Sequence, residues 1–208
     1  MEHQIVVAGI GPGHPDFVLP AARAAIERAE VLVGGSRALV DFARPGQETM
    51  AIRADIAAVL TFIREKLQKT QVVVMVSGDP GYYSLLDALR REFLPQRLVV
   101  IPGISSLQMA FSRLALPWHG ARLASFHGRV PQEEELAYRK GALLGLLTDR
   151  VHNSRTIPPR LMELGWPSEA KLHICSRLSY EDEAILHTTL GEAASAPEIS
   201  HGILVVEA

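Results

Sequence analysis

The sequence predicts an α/β protein in two parts, a mostly parallel sheet followed by a mixed one, and three observations carry that reading. From Ile5 to Leu114, short apolar runs alternate with segments of helical period, the order that builds a parallel sheet. Three of those runs stop in glycine-containing loops. After Leu116-Pro117-Trp118-His119-Gly120 the spacing changes, and strands follow one another closely enough for antiparallel pairing. The expected division is an N-terminal α/β domain over 1–116 and a C-terminal α/β domain with a mixed sheet over 117–208, hinged at the proline and glycine.

Each element has a local reason. Ile5 to Ala8 is an apolar run that ends in Gly9-Ile10-Gly11-Pro12-Gly13. Pro20 opens a helix at a first-turn position, where its missing donor costs nothing, and Ala22, Ala25, Ile26 and Ala29 keep the period. Val31-Leu32-Val33 is a short strand closed by Gly34-Gly35-Ser36, and a brief helix runs from Arg37 to Phe42. Asp55 starts an amphipathic helix whose Ile56, Val59, Leu60, Ile63 and Leu67 share one face. Val72 to Val76 is the continuous β-branched run of a strand buried on both faces. It breaks at Ser77-Gly78-Asp79-Pro80-Gly81, before a helix through Leu85, Leu86 and Leu89. Leu98 to Ile101 reads as another buried strand, ending in Pro102-Gly103. Ser105 or Ser106 caps the helix carrying Leu107, Ala110, Phe111 and Leu114. In the second part, Arg122 to Phe126, Ala142 to Leu147, Lys171 to Cys175, Ala184 to Thr189 and Ile203 to Val206 read as strands. Helices are expected over Glu133 to Lys140 and Pro159 to Leu164.

Composition narrows the function. The 208 residues are 48% hydrophobic with a net charge of -2, which gives no electrostatic footprint for wrapping nucleic acid. A single cysteine, Cys175, excludes an intrachain disulfide framework and a four-cysteine zinc site. No secretory leader and no apolar run of about 18 residues is present, so a cytoplasmic protein without a membrane segment is expected. His-Glu-x-x-His, Cys-x-x-Cys, Gly-x-Ser-x-Gly and a P-loop lysine are all missing. No metal site is therefore expected, and hydrolase, zinc-enzyme and P-loop phosphotransferase chemistry lack their residues.

The first loop nearly matches the dinucleotide fingerprint, but His14 stands at the third glycine position, and Pro12 and Pro15 delay the helix that pyrophosphate binding needs. A ligand-free turn is the alternative for that loop, as helix capping is for Asp79. Three such loops at one sheet edge exceed what turn chemistry asks for, since open α/β sheets bind ligands in the crevice at that edge. His127-Gly128-Arg129 reads either as a turn with a surface or packing histidine after its strand or as an anion-binding turn, because a guanidinium pairs with carboxylates in a forked geometry.

Taken in order, Gly9-Ile10-Gly11-Pro12-Gly13, Ser77-Gly78-Asp79-Pro80, Ile101-Pro102-Gly103-Ile104-Ser105-Ser106 and His127-Gly128-Arg129 resemble the tetrapyrrole (corrin/porphyrin) methylases along essentially the whole chain. Val33 to Arg37, Leu147-Thr148-Asp149 and Ser176 to Glu183 resemble the CbiE branch of that family, in its free-standing form. That branch methylates the C-5 meso carbon of a precorrin or cobalt-precorrin in cobalamin biosynthesis.

The resemblance implies two α/β domains with a cofactor cleft between them, S-adenosyl-L-methionine as methyl donor and S-adenosyl-L-homocysteine as product. It implies cofactor contacts from Gly11, Pro12, Gly78, Asp79, Tyr82, Ser105, Ser106, Leu147, Ser176 and His201. Arg37, His127 and Arg129 are expected to hold the carboxylates of the tetrapyrrole, and no catalytic residue is assigned. It further implies a homodimer, and a separate partner that methylates C-15 and decarboxylates. Ser176 departs from the branch, which usually has glutamate there, as do Arg155 and Pro158. The competing readings are another tetrapyrrole methylase with a different ring carbon or a uroporphyrinogen substrate, and a nucleotide-binding sensory module without chemistry.

Overall fold

A computed structural model describes residues 3–208. The chain forms two compact units, Met1–Ser105 and Ser106–Ala208. In the first, strands β1 (Ile5–Gly9), β2 (Val31–Gly34), β3 (Glu48–Ala51), β4 (Val72–Val76) and β5 (Leu98–Ile101) form one sheet. Its order is β3-β2-β4-β1-β5, and every pair is parallel. Helices α1 (Pro20–Arg28), α2 (Ser36–Phe42), α3 (Ile56–Lys66) and α4 (Leu86–Glu92) supply the crossovers.

The central strands are apolar at every position because they face two cores. Ile5, Val7, Val72 and Val74 point one way, into a cluster with Val59, Ile63 and Leu67 of the α3 segment and Leu89 of α4. Val6, Ala8, Val73 and Met75 point the other way, into a cluster with Ala22 and Ile26 of α1 and Ala38 of α2. Asp55 caps α3 by accepting the Ala58 amide at 3.0 Å, and Pro20 occupies the first turn of α1. Two features differ from the sequence reading. The edge strand β3, Glu48-Thr49-Met50-Ala51, carries no apolar period and was not expected. The other edge, β5, is not buried: Val99 is 36% exposed and Val100 45%, because β5 pairs with β1 on one side alone.

The second unit holds β6 (Arg122–Ser125), β7 (Leu143–Leu147), β8 (Lys171–Ser176), β9 (Ala184–Thr189) and β10 (Ile203–Glu207) in the order β6-β7-β10-β8-β9. The pair β6/β7 is parallel and the other three are antiparallel, so the sheet is mixed as expected. One face is covered by Phe126, Leu136, Trp166 and the Ile157 and Leu161 side chains of α7 (Ile157–Glu163). On the other, Gly145 of β7 lets α5 (Ser106–Arg113) approach, since a Cβ there would lie 2.9 Å from the Phe111 ring and 3.0 Å from Leu107. The helix that the sequence reading grouped with residues 1–116 thus packs on the second sheet.

The helix expected over Glu133 to Lys140 is one turn, α6 (Glu133–Leu136), set by a capping box of Gln132 and Glu135. It stops because the Arg122 guanidinium takes up the Glu135 and Ala137 carbonyls and the Tyr138 amide pairs with Leu164 O. No described helix is long and apolar enough to cross a membrane.

At the ends of β1, β4 and β5 three glycine backbones touch. A Cβ on Gly9 would stand 2.7 Å from both Gly103 N and Gly78 O, and one on Gly103 would overlap Gly78 O and lie 2.9 Å from Gly9 Cα. Gly103→Ala is therefore expected to cost about 3 kcal/mol or more in chemical denaturation, at the upper end of overpacking penalties. Gly120→Ala, where a Cβ meets nothing within 4 Å, is expected to change stability by less than about 0.5 kcal/mol.

Candidate functional site

In the first unit the neighbours β4, β1 and β5 release their loops side by side at the carboxyl edge of a parallel sheet. The loops are tied together by backbone. The Ile10 amide donates to Val76 O at 2.9 Å, Gly78 N to Gly11 O at 2.8 Å and Gly11 N to Gly78 O at 3.4 Å. Gly11 and Gly78 reach this pairing with φ of 75° and 69°, a left-handed backbone that suits glycine. Asp79 joins the second loop to the third: Oδ1 accepts the Gly81 amide at 2.8 Å and Oδ2 the Gly103 amide at 3.0 Å. Asp79 is thus a clasp between loops, and each of its oxygens keeps a further lone pair. His14 is explained as well, since its Nδ1 accepts the Asp16 amide at 3.3 Å and caps a short 3-10 turn over Pro15–Phe17.

Pro12 follows Gly11 in the first loop, and Ser105 and Ser106 stand where the third loop enters α5. The Tyr82 ring packs edge-on against Tyr83 at 4.6 Å. Arg37, in the first turn of α2 beyond β2, lies at the same carboxyl edge, its Nε 3.9 Å from Asp41. Gly11, Pro12, Gly78, Asp79, Tyr82, Ser105 and Arg37 are thus gathered along one edge of the first sheet.

The other candidates gather along one edge of the second. Ser125, Leu147 and Cys175 are the partners of neighbouring registers, Ser125 with Leu147 and Ile203 with both Leu147 and Cys175. The ends of β6, β7 and β8 therefore meet the start of the antiparallel β10, which brings His127, Arg129, Leu147, Ser176 and His201 to one side. Ser176 donates from Oγ to Ala184 O at 3.3 Å, across the β8/β9 ladder. Its neighbour Arg177 has φ of 50° and pairs with Asp182 at 2.5 Å. Burial pushes the Glu183 carboxyl up, but the Arg113 guanidinium at 2.6 Å and the Ser179 amide outweigh it and hold it below the ordinary range. Buried Cys175 has its thiol pushed up to about 12 by desolvation and then by Glu183, which leaves it an unreactive thiol at neutral pH.

The loop after β7 was the part of this edge that sequence reasoning saw least. Thr148 Oγ1 accepts Gly202 N at 2.8 Å and donates to Gly202 O at 3.0 Å. A Cβ on Gly202 would lie 2.6 Å from Cys175 O, so glycine is needed there. Ser154 Oγ accepts the Ile199 amide and donates to Pro197 O, and Asn153 Nδ2 donates to Glu198. The signal available in the sequence was a cluster of short polar residues that find their partners about 45 positions away. Pro158 sits in the first turn of α7, where its ring is tolerated. No cluster of His, Cys, Asp or Glu able to hold a metal exists among the described residues.

Asp149 Oδ1 accepts the His152 and Val151 amides at 2.6 and 2.8 Å. The His152 amide is the largest cause holding its carboxyl below the ordinary 3.8. A carboxyl lowered on folding stabilises at pH above its unfolded value and loses that contribution as pH falls through the folded one. Asp149→Asn is expected to melt below the wild type at neutral pH, with the gap closing below about pH 4, as read by thermal denaturation from pH 7 to 3.

An open parallel sheet with three interlocked glycine loops at its carboxyl edge, followed by a mixed-sheet unit, defines an α/β protein of two units whose first sheet carries the candidate site at that edge. The model of the Tetrapyrrole (Corrin/Porphyrin) Methylases matches residues 4–194, and the chain belongs to that family. It is 34% identical over 182 residues to the cobalt-precorrin-7 C(5)-methyltransferase of Salmonella typhimurium, covering 87% of this chain and 88% of the relative. Among solved structures it resembles the cobalamin-biosynthesis precorrin-6Y methylase of Archaeoglobus fulgidus, with TM-score 0.69, 26% identity and coverage of 99% and 97%. It shares the fold of the uroporphyrin-III C-methyl transferase of Thermus thermophilus complexed with S-adenyl homocysteine, with TM-score 0.80, 21% identity and coverage of 98% and 91%. The protein is a methyltransferase of the tetrapyrrole methylase type.

Proposed function

We propose that the protein transfers a methyl group from S-adenosylmethionine to C-5 of a precorrin or cobalt-precorrin in cobalamin biosynthesis. The observation that carries this is the clasped edge of the first sheet, in a chain 34% identical over 182 residues to a C(5)-methyltransferase. The donor set at that edge suits the cofactor. The remaining lone pairs of Asp79 and the hydroxyls of Ser105 and Ser106 match a ligand rich in hydroxyl and amino donors. The loops 9–13, 77–81 and 101–106 hold no Lys or Arg that would favour a pyrophosphate. On this reading Gly11, Pro12, Gly78, Asp79 and Tyr82 line the cofactor in the first unit. Leu147, Ser176 and His201 are assigned to it by family likeness.

When bound, the cofactor supplies an electrophilic methyl group on a positively charged sulfur, whose departure as a neutral thioether needs no acid. The chain's part is positioning, which for well-oriented reactants is worth up to roughly 7–11 kcal/mol. Loops pinned at Gly9, Gly78 and Gly103 provide a surface that does not reorganise. Arg129, with His127 and Arg37, pairs with the peripheral carboxylates of the macrocycle, for which the forked guanidinium is suited.

Incubation with the methyl-labelled cofactor and candidate precorrins, followed by NMR, tests the reading: label at C-5 is expected. Label at another ring carbon would move the protein to a different tetrapyrrole reaction, and no transfer to any of them would favour the sensory module. Arg129→Ala is expected to raise KM for the tetrapyrrole about tenfold, since a charge-assisted hydrogen bond is worth roughly 1.5–3 kcal/mol. Cofactor affinity should be unchanged in calorimetry, and equal loss of both would remove Arg129 from the substrate site.

A further inference from the structure

Replacing hydrogen by methyl at a meso carbon leaves a proton to be disposed of. The C–S bond breaks with its electron pair on sulfur, and the new C–C bond takes the π pair of the enamine-like carbon. The C5–H bond then breaks, its pair restores the conjugation, and the proton needs an acceptor. Imidazole is the side chain whose ordinary titration spans pH 5 to 8, so it suits this task at neutral pH.

Of the eight histidines in the chain, three hold hydrogen bonds through their rings and a fourth, His152, is packed against neighbouring side chains. His14 caps a turn and His152 lies against Asp149 and stacks on Phe126 at 5.0 Å. His173 is bonded to Glu207 at 2.8 Å and to His187 at 2.7 Å. His127 and His201 differ: both are exposed, and their rings meet at 6.1 Å with an interplanar angle of 65°. They are the pair placed where the ends of β6, β7 and β8 meet the start of β10. His119 lies before β6, at the strand's opposite end, and His3 lies before β1 in the other unit.

The framework fixes the backbone at both positions. His127 leaves β6 directly after Phe126, which is fully buried, and its amide donates to Ser125 Oγ at 3.2 Å. His201 has φ of 55°, an uncommon backbone for a residue with a side chain. It is kept there by Gly202, which Thr148 clamps through both N and O. Local strain that the surroundings over-determine is a mark of functional positions.

We infer that one ring nitrogen of His127 accepts the proton released from C-5 while the other faces a substrate carboxylate, and that His201, besides its assigned cofactor contact, positions the His127 ring. The inference rests on the C-5 methylation proposed above. The charged and titratable groups on the elements around the pair are Arg129 on the same turn, Asp149, Arg150, His152 and Arg155 after β7, Arg177, Tyr180, Glu181, Asp182 and Glu183 after β8, and Glu198 before β10.

The test uses full-length protein without methyl donor, in D2O, with the corrinoid that accepts the methyl group in the transfer assay. In D2O the deuterated imidazolium adds a deuteron to the enamine-like C-5 in place of the methyl group, and the imidazole so formed takes the proton from that carbon, so wild-type protein is expected to exchange C5–H for C5–D, read by NMR. His127→Gln and His127→Ala are expected to fall at least tenfold, towards the solvent rate, and added imidazole should restore exchange to the alanine variant. His201→Ala should lower exchange less and shift the acid limb of its pH profile, with Tm unchanged. Wild-type exchange in the His127 variants, at ordinary or saturating corrinoid, would overturn the inference. Methyl transfer to C-5 combined with that result would defeat only the proton role, whereas transfer to another carbon would defeat the functional reading itself.

Discussion

The contact among the Gly9, Gly78 and Gly103 backbones is the constraint on which the candidate site depends. Side chains elsewhere in the first unit interdigitate in two ordinary apolar cores. At the carboxyl edge of β1, β4 and β5 there is no room for a Cβ on Gly9 or Gly103. Three loops that would otherwise splay apart are drawn into one surface, and Asp79 closes it by bonding amides of its own loop and of the next. The paired groups also answer where the loop amides go, since a buried N–H without a partner is costly. The result is a polar, preorganised edge on a sheet whose central strands are wholly apolar.

The second unit reaches a similar end by other means. Its mixed sheet places the start of β10 beside the ends of β7 and β8. Thr148, Asn153 and Ser154 then stitch the loop after β7 to the segment before β10. Gly202 lies so close to Cys175 O that no side chain fits, and the strained backbone of His201 is carried by that close fit. The buried thiol of Cys175 is structural filling beneath this edge rather than a nucleophile.

Much of this was legible in the sequence because the signals were local. The β-branched run at Val72 to Val76 announces a strand buried on both faces, and the glycines at the strand ends announce tight turns. Arg37 and the three loops could be placed on one edge once the strands were taken as parallel. What was not legible depended on partners distant in the chain. β3 has no apolar period because it is an edge strand, and Val99 and Val100 look like core residues although β5 is the other edge. The helix after Gln132 is cut to a turn by Arg122 and Leu164, which no window around it contains. The allegiance of α5 is decided by Gly145, which meets Phe111 and Leu107 from far along the chain, and Asp79 reads as a helix cap until Gly103 is seen beside it.

The claim that unites these observations is that the clasped edge of the first sheet holds the methyl donor and that Asp79 is its central polar group. Calorimetric titration of S-adenosylhomocysteine into wild-type protein and Asp79→Ala tests it most directly. The account predicts binding to the wild type and a loss of about tenfold or more in the variant, since hydrogen bonds to a charged group contribute roughly 1.5–3 kcal/mol and 1.4 kcal/mol is tenfold. Equal affinity in a folded Asp79→Ala variant would contradict it.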